Sequence, residues 1–341
     1  MNTRRATQEE AHGVLVVLHN GTMTQQPEPW PALPSNDWTD TLETLHLWTQ
    51  VLGKIRLNHA PWVNHSWSVP LYMSPVGLRT SLVPHRSQGF EWTLDLHQHT
   101  VHLQTTTGFS WSSELAGLTV ADFYHAAMNA MADAGIDTTI DLVPNEIADA
   151  VAFDTDHTVR TYVPDHARSL FQVLLRTNHI LTHFRAEFLG KASPTHFFWG
   201  SFDLAVSRFS GRTAPPHPGG IPNFPDDVAR EAYSHEVSSA GFWPGNRDAP
   251  DPIFYSYVYP TPDGFSTTPV RPDDAQWNDN LGEFTLPYDV LTSASDPDAV
   301  LLDFYRSTYD AAADTGNWDR DALECASDHG PLWWHRRRNT N

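Results

Sequence analysis

Hydrophobic residues recur every three or four positions in four long stretches of the chain, which predicts four amphipathic helices. Asp40 and Thr41 are suited to cap the first helix, because their side-chain oxygens can accept hydrogen bonds from free backbone N–H groups. Gly135 and Gly190 follow two of the other stretches and are typical of helix ends. The predicted helices cover residues 42–55, 120–134, 165–189 and 297–313.

Hydrophobic and polar residues alternate along several other stretches, and this period of two predicts β-strands. The neighbouring stretches 90–96 and 100–106 predict a hairpin. Further strands are expected at 138–143, 196–209, 236–243, 253–259 and 283–286. The residues at 211–227 are rich in Pro, Gly and Asp and predict an irregular loop. Long helices together with antiparallel strands define the α+β class.

Two of the predicted helices share part of their sequence. Residues 122–135 match residues 303–316 at a constant offset of 181, with seven of fourteen positions identical. We therefore expect two similar helix–antiparallel-sheet–helix halves related by a pseudo-twofold duplication, and two unrelated helices of common composition are the alternative. The expected division is a flexible extension at 1–28, a first half at 29–143, a linker at 144–164, a second half with loop insertions at 165–318 and an irregular tail at 319–341.

Composition narrows the classes of function. The chain has 41 acidic and 21 basic residues, and a net charge of −20 argues against nucleic acid or an anionic membrane as a partner. Its 13 Trp and 40% apolar residues exclude an intrinsically disordered protein. No apolar run reaches the roughly 18–20 residues that cross a bilayer. The single cysteine, Cys325, excludes an intrachain disulfide and a thiolate zinc site, so we expect a cytoplasmic protein.

The strand predicted after the third helix carries an unusual face. Alternation places Trp199, Ser201, Asp203 and Ser207 on one side, and such a face suits the wall of a polar pocket with an aromatic floor. A half-exposed strand with its polar side in solvent is the alternative. Arg208, on the same strand, could hold a ligand carboxylate or phosphate.

Histidines are abundant, whereas Lys54 and Lys191 are the only two lysines of the chain. Three of the 19 histidines lie in motifs that have a reason to converge. His65 and His196 occupy similar places in the two halves, and His235 stands next to Glu236 at a predicted strand start. Adjacent residues on a strand point to opposite faces, so these two could bind the same metal ion only if a β-bulge occurs there. Imidazole and carboxylate groups suit zinc, iron or manganese. A structural histidine and a capping glutamate are the alternatives.

Six strings of the sequence resemble a bacterial family known only as domain of unknown function 5996. They are WPALP, ETLHLWTQVLGKIRL and VNHSWSVPLY in the first half, and PTHFFWGSFDLAVSRFSGR, EAYSHEVSSAGFWPG and GEFTLPYD in the second. The resemblance covers about residues 29–320. It implies a soluble bacterial protein, and it carries no activity, substrate or cofactor. Its strings include the residues that were singled out above on chemical grounds.

Two hypotheses for the function remain open, and both expect a small-molecule ligand or substrate. The first is an enzyme with a pocket between the two halves, in which a divalent metal activates water or oxygen, or in which acid–base catalysis proceeds without metal. Its expected metal ligands are His65, His196, His235 and Glu236, and its expected catalytic residues are His235, Glu236 and Asp203. The second is a non-catalytic binding protein with an aromatic pocket, in which Trp199, Arg208 and Trp243 contact the ligand beside Phe242, Tyr255, Tyr257 and Tyr259.

Overall fold

The computed structural model describes residues 29–33 and 38–325 of the chain. Over these residues, seven α-helices accompany two antiparallel sheets, which confirms the α+β class. The helices are α1 (Thr39–His59), α2 (Val120–Asp133), α3 (Pro164–Ala186), α4 (Asp226–Ala232), α5 (Tyr288–Ser293), α6 (Pro297–Thr315) and α7 (Arg320–Leu323). The extension predicted at 1–28 and residues 326–341 of the predicted tail lie outside the described residues.

The first sheet follows α1 and precedes α2 along the chain. Its strands are β1 (Tyr72–Met73), β2 (Gly77–Arg79), β3 (Val83–His85), β4 (Gln88–Asp95), β5 (Thr100–Thr105) and β6 (Ser110–Glu114). They are ordered β1-β2-β4-β5-β6, and β3 also pairs with β4. The predicted hairpin is confirmed as β4 and β5, with Phe90 opposite Thr105 and Asp95 opposite Thr100.

The second sheet follows α3 and is ordered β11-β12-β10-β9-β8-β7. Its strands are β7 (His196–Phe198), β8 (Asp203–Thr213), β9 (His235–Trp243), β10 (Ile253–Tyr259), β11 (Gln276–Asn278) and β12 (Glu283–Pro287). Leu71 and Phe197 form an antiparallel bridge in which each N–H donates to the other's carbonyl at 2.9 Å. This bridge joins the start of the first sheet to the edge of the second.

Helices α3 and α6 pack on one face of the second sheet. The side chain of Arg208 on β8 points towards these two helices. Its guanidinium lies 3.5 Å from the centre of the Phe184 ring of α3 and 4.4 Å from that of the Tyr309 ring of α6. Neighbouring side chains on a strand point to opposite faces. Ala205 and Ser207 therefore point away from these helices.

Three local predictions are wrong. The first helix begins at Thr39, and its N-cap Trp38 makes no side-chain capping bond. Residues 138–143 form no strand, because the N–H of Val143 bonds the Asp141 carboxylate and its carbonyl accepts from Lys54 instead of a neighbouring strand. The strand predicted at 196–209 is two strands, β7 and β8, separated by a turn.

Both halves run from a helix through an antiparallel sheet to a helix, as the sequence predicted. This order does not establish that one half is a copy of the other, so the duplication stays a prediction. Within the described residues, no helix is long and apolar enough to cross a membrane.

Candidate functional site

A cavity of about 910 Å³ lies between α1 and the loop after α2 on one side and β7 to β10 with α4 on the other. Its wall is rich in aromatic rings. They belong to Trp67, Phe198, Trp199, Phe209, Phe224, Tyr233, Tyr255 and Tyr257. The polar residues predicted to share one face within 196–209 all line the cavity. They are Trp199 and Ser201 in the turn before β8, and Asp203 and Ser207 on β8 itself.

Three neighbouring strands supply a row of hydroxyl groups to the cavity. Ser207 of β8 pairs with Ser239 of β9, which in turn pairs with Tyr257 of β10. The two serine hydroxyls share a hydrogen bond of 3.1 Å. The Tyr257 hydroxyl lies 2.8 Å from that of Tyr233, which follows α4. The register of the sheet therefore places three hydroxyl groups side by side at a largely apolar wall, and Tyr233 adds a fourth.

Asp203 is the buried carboxyl group of this wall. Its two oxygens accept hydrogen bonds from the hydroxyls of Ser201 and Tyr255. Burial raises the pKa of Asp203, because the charged form loses its hydration, although both hydrogen bonds oppose this effect. The same burial, together with the Asp203 charge, raises the pKa of Tyr255 well above its ordinary value. The Tyr255 hydroxyl therefore keeps its proton and donates a hydrogen bond to Asp203.

Gly241 makes the contact between Tyr255 and Asp203 possible. It lies on β9, between Ala205 of β8 and Tyr255 of β10. A Cβ atom at this position would lie 2.7 Å from the Tyr255 hydroxyl and 2.3 Å from the Leu204 carbonyl oxygen. Because glycine lacks that atom, the tyrosine side chain can cross β9 and reach the carboxylate.

Glu146 brings a second carboxyl group to the cavity from the loop after α2. Its backbone has a φ of 64°, in the left-handed region that non-glycine residues seldom adopt. Its carboxylate lies directly above Gly200, where a Cβ would approach Oε1 to 2.1 Å. Burial, and to a lesser extent the Asp203 charge, raise the pKa of Glu146 to about 7. The same two causes raise the pKa of Glu283 at the start of β12 to about 8.

His65 also lines the cavity. Like Glu146, it has its backbone in the left-handed region, with a φ of 59°. Its Nδ1 lies 2.9 Å from the Ala232 carbonyl oxygen, so this nitrogen carries the proton and donates it. The other ring nitrogen, Nε2, is buried and has no hydrogen-bond partner. Burial lowers the pKa of His65. The neutral ring therefore has a free lone pair.

The structure brings together only part of the predicted metal-ligand set. The rings of His65 and His235 have their centres 5.6 Å apart. The Trp67 ring packs against two of the histidines, with its centre 5.7 Å from that of His65 and 5.9 Å from that of His196. The Glu236 carboxylate does not line the cavity, and it accepts hydrogen bonds from Arg212. Among residues 29–33 and 38–325, no group of three His, Cys, Asp or Glu side chains is arranged to hold a metal ion.

His196 is fully buried on β7, and it does not line the cavity. Burial, and secondarily the positive charges of Arg56 and Arg185, lower its pKa to about 3, which keeps its ring neutral. The neutral ring packs against the aromatic side chains of Trp67 and Phe198, and its buried Nδ1 has no hydrogen-bond partner.

Arg208 and Trp243 lie apart from the cavity as well. The Arg208 guanidinium is in the core between α3 and α6, where it donates to the Phe184 carbonyl. Trp243 lines a smaller cavity of about 440 Å³, which shares Glu146, Gly200 and Ser201 with the larger one. Neither side chain can contact a ligand that occupies only the larger cavity.

Sequence reasoning missed Glu146, Tyr233 and Gly241. Glu146 falls in the stretch expected to be a linker, where no periodic pattern assigns it a partner. Tyr233 lies two residues before His235, and nothing in its sequence position indicates its contact with Tyr257. Gly241 interrupts the strand after Ala240, and a glycine inside a strand is a signal of close approach by another group.

Comparison with family models matches residues 30–325 to a family of unknown function, DUF5996. The match covers most of the chain, and the chain belongs to this family. Searches of curated proteins and of solved structures gave no significant match.

Proposed function

We propose that the protein binds a small organic molecule in the cavity between its two halves. The observation that carries this proposal is the hydrogen-bonded pair of Asp203 and Tyr255 inside an aromatic cavity of about 910 Å³. Ligand cavities of roughly 300–1,000 Å³ are mostly apolar and contain a few convergent polar groups, which fix the orientation of the ligand.

The aromatic and the polar residues of the cavity would make different contacts with the ligand. The rings of Trp199, Tyr255 and Tyr257 offer contact area to an apolar body. The Asp203 carboxylate and the hydroxyl row at Ser239 and Tyr257 can exchange hydrogen bonds with a polar group of the ligand. These polar groups are already hydrogen-bonded to one another, so they are held in fixed positions before a ligand arrives.

Acid–base catalysis on the bound molecule is a second candidate, and Glu146 favours it. A carboxyl group with a pKa of about 7 can both donate and accept a proton near neutral pH. Asp203 lines the same cavity, so two carboxyl groups in different environments would be available to one substrate. Turnover that is lost in Glu146→Gln, with ligand affinity retained, would support this candidate.

The binding proposal is tested with a panel of aromatic fragments, namely phenol, indole, benzamide, 2-phenylethanol and 2-phenylethylamine. Ligand-observed NMR and thermal shift measure their binding to the wild type, because a ligand that binds the folded state raises the melting temperature. Ala205→Leu and Ser207→Leu each fill part of the cavity from β8. We expect fragments to bind the wild type and to lose affinity in both variants.

Ser238→Val is the control, because Ser238 is a buried serine that pairs with Arg208, points away from the cavity and does not line it. We expect this variant to keep the fragment affinity of the wild type. Circular dichroism establishes that each variant is folded. The proposal is wrong if none of the fragments binds the wild type, or if the filled variants bind them as well as the wild type does.

A further inference from the structure

We infer that the ligand of this cavity is an organic ammonium cation with an apolar body, bound with its charge against Glu146 and Asp203. This inference rests on the proposed binding function and names the chemical class of the ligand. It follows from the charges of the wall, from its aromatic rings and from the position of the Glu146 carboxylate.

The acidic groups of the cavity outnumber the cations that could neutralise them. Among the described residues that line it, Lys54 is the one lysine or arginine. Its ammonium group donates to the Val143 carbonyl and lies 3.6 Å from the Asp141 carboxylate, so it is already engaged. Glu146 and Asp203 are left without a cationic partner in the wall. A ligand that carries a positive charge would supply one.

Glu146 is held in place for such a contact. Its carboxylate lies over Gly200, whose missing side chain leaves room for Oε1. The surroundings of this carboxylate oppose its ionisation, and its pKa is accordingly raised to about 7 by burial and by Asp203. An ammonium group beside the two carboxylates would remove this repulsion and form charge-assisted hydrogen bonds.

The aromatic wall adds a second means of attracting a cation. The faces of Tyr and Trp rings attract ammonium groups within about 6 Å of the ring centre. This chain already uses two rings of the cavity in that way. The Lys191 ammonium lies 5.0 Å from the centre of the Trp67 ring and 5.2 Å from that of Phe209. Tyr255 and Tyr257, stacked at 6.2 Å, present further rings near Asp203.

The test compares three probes that share an aromatic ring and differ in charge. They are 2-phenylethylamine as the cation, 2-phenylethanol as its neutral analogue and 3-phenylpropanoate as the anion. Titration calorimetry at pH 7 measures their affinities for the wild-type protein. We expect the amine to bind at least about tenfold more tightly than the alcohol, as one charge-assisted hydrogen bond would give, and the carboxylate to bind most weakly.

Two variants then locate the charge that is responsible. Glu146→Gln keeps the size of the side chain and should reduce the affinity for the amine about tenfold, with little effect on the alcohol. Asp137→Asn removes the same charge from an exposed position of the same loop that lines neither cavity, and it should leave both affinities unchanged.

The outcomes separate this inference from the proposed function. Equal affinities for the amine and the alcohol, or an unchanged affinity for the amine in Glu146→Gln, would overturn the inference and leave the binding function standing. If no probe of any charge binds the wild type, both are overturned. Fragment binding that is lost in Ala205→Leu but shows no preference for charge supports the function alone.

Discussion

Gly241→Ala is the substitution that tests most directly how the cavity wall is built. The added Cβ would lie 2.3 Å from the Leu204 carbonyl oxygen and 2.7 Å from the Tyr255 hydroxyl. The first distance is more than 1 Å inside the optimal separation of about 3.5 Å. The carbonyl belongs to a paired strand and cannot move alone, so β8 and β9 must separate to relieve the first contact, and the tyrosine must move from Asp203 to relieve the second.

The expected loss of stability has two parts. Overpacking of a closely packed interior costs about 1–3 kcal/mol. Loss of the hydrogen bond from Tyr255 would leave the buried Asp203 carboxyl without one of its two donors, which costs about another 1–3 kcal/mol. We therefore expect Gly241→Ala to lower the free energy of unfolding by about 2–6 kcal/mol.

Urea unfolding at pH 7, followed by tryptophan fluorescence and by circular dichroism, measures this loss. Coincidence of the two signals shows whether a two-state free energy applies. Tyr255→Phe removes the hydroxyl alone and should cost about 1–3 kcal/mol. Because it also relieves one of the two close contacts, the double variant should lose less stability than the two single variants added together. A Gly241→Ala protein within about 0.5 kcal/mol of the wild type would refute the reasoning.

Three further predictions concern other parts of the molecule. Because the folded-state pKa of Glu146 is raised from 4.5 to about 7, the wild type should lose up to about 3 kcal/mol of stability as the pH rises through this range. Urea unfolding at pH 5 and pH 8 should show a smaller loss in Glu146→Gln, and an equal loss would contradict the assignment. Gly53→Ala should lower the free energy of unfolding by about 1–3 kcal/mol in thermal unfolding, because the added Cβ would lie 2.3 Å from the Trp199 ring. We expect this loss although alanine usually stabilises a helix relative to glycine. Arg208→Met should lower stability measured in urea but leave fragment affinity unchanged, because the guanidinium packs on Phe184 outside the cavity. A loss of fragment affinity in this variant would contradict that placement.

The parts of the fold that were predictable depend on neighbours in sequence. The period of 3.6 located α1, α2, α3 and α6 to within a few residues, because an amphipathic helix repeats its apolar face along its own sequence. Alternation likewise located β9 and β10, and it placed the polar residues of β8 on one face. The same alternation makes the side chains of Arg208 and Ser207 point to opposite faces of β8. The strand pattern therefore already implied that this arginine points away from the cavity.

The rest of the candidate site depends on contacts that are distant in sequence. Glu146 meets Gly200 only because the loop after α2 packs against the turn before β8. The similar strings around His65 and His196 suggested that these histidines converge on one site, yet His65 lines the cavity and His196 does not. Spacing along the chain reports which face a side chain takes on its own element. It does not report which other element lies opposite that face.

The scarcity of lysine has a practical consequence for study of the cavity. Lys54 is only 4% exposed, whereas Lys191 is exposed. The pKa of Lys191 is lowered, chiefly by partial burial. A succinimidyl ester at mildly alkaline pH should therefore label Lys191 and the amino terminus and leave Lys54 unmodified. A fluorophore attached there would stand beside Trp67 and Phe209, which both line the cavity. Lys191 is thus a natural attachment point for a reporter of ligand entry, and no engineered cysteine is needed.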